Sequence, residues 1–152
     1  MPDILGPKAI LAPVVALAAW TLIVMLWMYA TRIPALKRAG ISIGGLVGGR
    51  PGGLDDLLEP QVQWKAHNYN HLSEQPTLFY AVAISLCLLG HGGGLALLAA
   101  WLYVLFRIGH SLVQATVNIV TWRFGLFLAA SFCLIVLTVD AAVVLVRAAL
   151  LG

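Results

Sequence analysis

Tyr103, Arg107, His110, Gln114 and Asn118 follow one another at intervals of 4, 3, 4 and 4 residues. That spacing lays all five on one face of a helix. An arginine on a helix that is otherwise apolar needs an anion, so this reads as a binding face ahead of a purely structural polar seam. A second helical face carries His67, Asn70, His71, Glu74 and Thr77. Glu74 is the best internal partner for Arg107. A tight Gly90-His91-Gly92-Gly93 turn makes their helices antiparallel neighbours, and at about 1.5 Å per residue the two charges lie ~24 and ~20 Å from it. Arg123 stands where a further helix begins, beside Trp122. A cation in a first turn opposes the helix dipole. Guanidinium and free helix amides together favour a bound anion there, such as a thiolate or carboxylate. The plainer account of Arg123 is a topology signal at a membrane interface.

Two tempting motifs fail. His91-Gly92-Gly93-Gly94 has the look of a lipase oxyanion loop, but no Gly-x-Ser-x-Gly nucleophile elbow occurs. His67, His71 and Glu74 have metal-compatible spacing, yet the Glu follows the second His, so the zincin pattern is absent and no metal site is expected. Cys87 and Cys133 sit in apolar runs without partner spacing and read as inert buried thiols.

The elements that position these groups are apolar. Of 152 residues, 61% are hydrophobic and 10% charged, with mean hydropathy +0.95. A soluble domain runs nearer half apolar and a quarter charged, so a water-soluble monomer is excluded. No basic stripe interleaves with aromatics, which excludes nucleic acid as a partner. Four apolar stretches approach the ~20 residues that cross a ~30 Å hydrocarbon core: 9–30, 72–90, 94–118 and 124–146. Period-two alternation is missing, so a β-barrel is not expected. The fold class is all-α, an integral membrane four-helix bundle forming one domain over 1–152.

The amino terminus has one Lys (Lys8) opposed by Asp3 ahead of an uncharged 22-residue run, longer than a signal peptide's apolar region, so that run reads as a real span. The side that holds the first and third connections has Arg32, Lys37, Arg38, Arg50, Lys65 and Arg123, against Lys8 and Arg147 on the other side. That bias places those connections in the cytoplasm and both termini outside it. The first connection, about 31–60, contains a glycine-rich run from Ile43 to Gly53 that cannot be an ordinary helix. Residues Asp55 to Asn70 read as a helix that extends the second span into the cytoplasm. Asp140, near the far interface, is left outside the site.

With these residues in view, the chain resembles the membrane-associated proteins in eicosanoid and glutathione metabolism (MAPEG). The stretches that carry the resemblance are Asn70-His71-Leu72-Ser73-Glu74-Gln75-Pro76-Thr77-Leu78-Phe79-Tyr80 and Tyr103 to Phe124, including Arg107-Ile108-Gly109-His110-Ser111. The family's enzymes commonly read Arg-x-x-x-Asn-x-x-Glu. Here Ala66 lies four before Asn70 with Lys65 beside it, and the Glu falls one place late, at Glu74, a variant that resembles a bacterial-type branch.

The resemblance implies a homotrimer that binds glutathione between subunits near the cytoplasmic face. It implies Arg123 as the catalytic residue that stabilises the glutathione thiolate. Lys65, Asn70, Glu74 and Arg107 would hold the peptide, and His110 and Gln114 would line the site. The expected activity is that of a glutathione-dependent transferase or peroxidase, with glutathione as co-substrate, no metal, and a lipophilic electrophile arriving from the bilayer. The alternative is a non-catalytic lipid-binding or scaffold member of the same fold. A small transporter lacks support, since the chain has no inverted repeats.

Overall fold

A computed structural model describes residues 6–42, 44 and 57–151. A 3₁₀ turn, Gly6–Ile10, leads into α1 (Leu11–Arg38), followed by α2 (Pro60–Leu72), α3 (Pro76–Leu88), α4 (Gly94–Thr116) and α5 (Val120–Leu151). No strand occurs among the described residues. Apart from Gly44, the glycine-rich stretch lies outside them, and so does Arg50.

Among the described residues, three helices are long and apolar enough to cross a membrane: the Gly6–Arg38 unit, α4 and α5. Their outward faces carry large exposed apolar side chains such as Leu22, Leu26, Leu105, Phe132 and Leu145, which in water would have no cover. The protein is an integral membrane protein. Its core joins Leu17 and Val24 of α1 to Phe79 and Leu86 of α3, Tyr103 of α4 and Leu137 of α5. Ala83, Ala99, Ala100 and Ala130 let the helices approach closely.

Beyond α2 starting at Pro60 instead of Asp55 and α5 covering Val120–Leu151 instead of 124–146, the helices differ from the sequence reading in two larger ways. α1 continues through Thr31–Arg38, which had been assigned to the first connection. Its 28 residues span about 42 Å, beyond the ~30 Å core. The overhang ends in Lys37 and Arg38, cations that suit a helix C-terminus. The second difference is that the second span is not one helix. α2 and α3 have 13 residues each, about 20 Å, so neither crosses alone. Pro76 has no N–H for the Leu72 carbonyl, and its ring crowds that oxygen. The chain therefore tightens over Ser73–Gln75, with Ser73 N–H on the Asn70 carbonyl (2.9 Å) and Leu78 N–H on the Gln75 carbonyl (3.0 Å). Such i→i+3 bonds are 3₁₀-like.

Two turns set the remaining geometry. At Gly92 a Cβ would run into the Pro7 carbonyl, so the α3–α4 turn lies directly on the 3₁₀ turn. At the other end Asn118, in the left-handed region (φ 53°), closes α4 by donating its amide to the Val113 carbonyl at 2.7 Å. Asparagine tolerates that conformation better than most residues. The reversal starts α5 at Val120, so Arg123 falls in its first turn.

Candidate functional site

α2 runs antiparallel to α4, and their shared face is polar at two levels. At the first, Ser111 Oγ accepts from Asn68 Nδ2 (2.7 Å) and from Trp20 Nε1 (3.0 Å), which ties α1, α2 and α4 at one atom. At the second, Arg107 Nη2 donates to the His71 carbonyl at 2.8 Å, and Arg107 Nη1 faces His71 Nε2 at 3.3 Å. The helix break makes the first of these contacts possible. An unbroken helix would cover the His71 carbonyl with the amide of residue 75. Here that oxygen is free to accept the guanidinium.

Arg107 is 0% exposed. Among the described residues no carboxylate lies within 4.0 Å of it, and its Nε has no partner. The expected direct pairing with Glu74 is not made. Glu74 and Arg107 do converge on the same imidazole, but His71 stands between them, its Nδ1 3.1 Å from Glu74 Oε2. Counting residues from the turn gave depth alone, and depth does not say which side chain fills the gap.

Beside this chain of contacts lies a cavity of about 230 Å³ lined by His71, His110, Val120, Arg123, Phe124 and Phe127. The His71 and His110 rings lie 4.8 Å apart, centre to centre, and Phe127 lies 5.6 Å from His71. Arg123 Nη1 donates to Asn118 Oδ1 at 2.7 Å, while its buried Nε has no partner. Val120 and Phe124 are exposed on the outer surface, so the cavity is open toward the side of the bundle. It presents a guanidinium at a helix N-terminus, two imidazoles and an apolar rim. That combination suits a small anion with an apolar companion.

Of the residues singled out from sequence, Arg123 and His110 line this cavity. Arg107 sits behind His71. Gln114 is buried at 4% exposure with an unpartnered Oε1, one turn from His110 and outside the lining. Asn70 is exposed, and so is Glu74, whose side chain is 68% accessible. Lys65 is placed elsewhere: its Nζ donates to the Gln61 carbonyl at 2.7 Å and lies 5.6 Å from the Trp27 ring. Asp140 is at the opposite end, in a separate cavity with His91 and Pro7. No group of three metal-ligating side chains occurs among the described residues.

Sequence reasoning missed His71, Phe127, Asn68 and Ser111 as parts of the site. His71 shared the recognised polar face, and Pro76 marked the break that frees its carbonyl. Asn68 lies off that face and gave no signal.

The model of the MAPEG family matches residues 10–143, a stretch that contains every residue of the cavity and of the α2–α4 seam. No curated protein and no solved structure matches significantly.

Proposed function

The chain belongs to the MAPEG family, and from that premise we propose that it is a glutathione-dependent transferase or peroxidase acting on lipophilic electrophiles at the membrane. The family includes glutathione transferases and peroxidases as well as non-catalytic members. The observation that carries the reading is the pair of arginines without an anion. Arg107 is buried with no carboxylate beside it, and Arg123, whose buried Nε has no partner, lines a cavity at a helix N-terminus. Both lack the negative charge that a bound thiolate peptide would bring.

The energetics are within reach of these groups. A free thiol titrates near ~8.5, and favouring the thiolate by two units takes about 2.7 kcal/mol. A hydrogen bond to a charged group is worth ~1.5–3 kcal/mol, and an anion at a helix N-terminus gains a further ~0.3–1 kcal/mol. Arg123 with the first turn of α5 therefore suffices. In this reading His110 and His71 form the polar wall against the sulfur. The exposed Asn70 and Glu74 take polar groups of the peptide, Arg107 supplies the balancing positive charge from behind, and the electrophile enters past Val120 and Phe124. Lys65 and Gln114 reach the ligand only if their side chains move. A homotrimer would close the open side of the cavity, and the Lys/Arg bias supports a site at the cytoplasmic face.

One observation favours the alternative, a non-catalytic lipid-binding or scaffold member. Glu74 is engaged by His71 instead of standing free for a ligand. Turnover of a chlorodinitrobenzene with glutathione separates the two readings. The transferase reading expects turnover that Arg123→Ala abolishes while the assembly stays intact. Full activity in that variant refutes the role given to Arg123, and no turnover of any electrophile favours the scaffold.

A further inference from the structure

Arginine has donors and no acceptor. The contact between Arg107 Nη1 and His71 Nε2 therefore requires Nε2 to carry the lone pair, which puts the ring proton on Nδ1. Nδ1–H then donates to Glu74 Oε2. The three residues form a chain of one polarity: Glu74 carboxylate, Nδ1–H and Nε2 of His71, Nη1–H of Arg107. The same residue also supplies the carbonyl that takes Nη2. His71 thus holds two of the three guanidinium nitrogens of Arg107 and leaves the third, Nε, without a partner. Its ring is also the wall that separates Arg107 from the cavity.

We propose that His71 is a positioning residue: fixed as the neutral Nδ1–H tautomer by Glu74, it seats Arg107 behind the cavity and carries that residue's charge to the ligand. The displaced glutamate acquires a reason from this. At three residues beyond His71, Glu74 lies within reach of the ring across the Ser73–Gln75 break, and it acts on the site through the imidazole. Protonation of His71 would place a second donor opposite Nη1 and break the seat. The groups facing the ring are Glu74 from the break, Arg107 and His110 from α4, and Phe127 and, across the cavity, the charged Arg123 from α5. The effect on ligand binding rests on the functional reading above, whereas the tautomer and the seat do not.

Two readouts on the full-length protein in detergent keep these apart. With ¹⁵N-labelled histidine and no ligand, the His71 resonances, assigned by their loss in His71→Gln, should show protonated Nδ1 and unprotonated Nε2 at neutral pH. Glu74→Ala should erode that preference. An Nε2–H or fully protonated ring overturns the proposal whatever the ligand proves to be. The second readout is glutathione affinity. His71→Gln places an amide oxygen where Nε2 stood and should bind within about threefold of the wild type. His71→Asn reaches Glu74 but not Arg107 and should bind at least tenfold more weakly, both variants eluting as the wild type does on gel filtration. Equal affinity in the two variants overturns the proposal. Absence of glutathione binding in the wild type refutes the functional reading and leaves the tautomer measurement to decide on His71.

Discussion

Replacing Ser111 by alanine removes one oxygen and strands two donors, Asn68 Nδ2 and Trp20 Nε1, on two other helices. An unsatisfied buried donor costs ~1–3 kcal/mol. Asn68 is fully buried and its Oδ1 already lacks a partner, so its amide would be left with nothing. Trp20 is only partly buried and counts at the low end. Measured hydrogen bonds between membrane helices average nearer ~0.6 kcal/mol, because the unfolded state in the membrane also finds partners. Between these limits the expected loss is about 2–3 kcal/mol. Reversible unfolding in mixed detergent and dodecyl sulfate micelles measures it. Removing both partners of a bond costs less than removing one, so the double variant Ser111→Ala with Asn68→Leu should recover at least ~1 kcal/mol, a coupling that a double-mutant cycle isolates. A loss below ~0.5 kcal/mol, or additive effects in the cycle, would refute the idea that Ser111 ties α1, α2 and α4 together.

Three further outcomes follow from the geometry. Arg107→Met should change unfolding stability by no more than ~2 kcal/mol, since the desolvation of a buried charge offsets its bonds, while glutathione affinity measured by calorimetry falls at least tenfold. Asn118→Gly relieves a left-handed backbone but deletes the Oδ1 that holds Arg123. Stability should stay within ~1 kcal/mol, with a smaller thiolate signal for bound glutathione. Gly92→Ala drives a Cβ into the Pro7 carbonyl and should cost ~1–3 kcal/mol on unfolding, with glutathione binding at the far end retained in the protein that remains folded.

Hydropathy located three of the apolar helices but not their ends, since 9–30 lies within a helix that runs on to Arg38 and 124–146 within one that covers Val120–Leu151. The stretch 94–118 became Gly94–Thr116, and the fourth span became a helix starting at Val120. Long apolar runs must be helical in lipid, so little else competes. The break in the second span was visible only as Pro76, and hydropathy averaged it away. α1 outlasted its apolar run because Thr31–Arg38 can stay helical in water with basic residues at its end. Within the site, the 4-3-4-4 spacing found Arg107 and His110, since periodicity reports which residues share a face. It could not report contacts across helices. His71 therefore came between Glu74 and Arg107 unannounced, and the Asn68–Ser111 bond depended on a position off the polar face. Lys65 was assigned through a motif neighbour, and its long side chain turned instead to Gln61 and Trp27.

The central claim is that Arg123 stabilises a glutathione thiolate at the start of α5. It is tested most directly by titrating glutathione into the detergent-solubilised protein at neutral pH while following heat and thiolate ultraviolet absorbance together. The expected result is binding accompanied by a thiolate signal that disappears in Arg123→Ala. Binding without that signal, or a signal that survives the substitution, would contradict it.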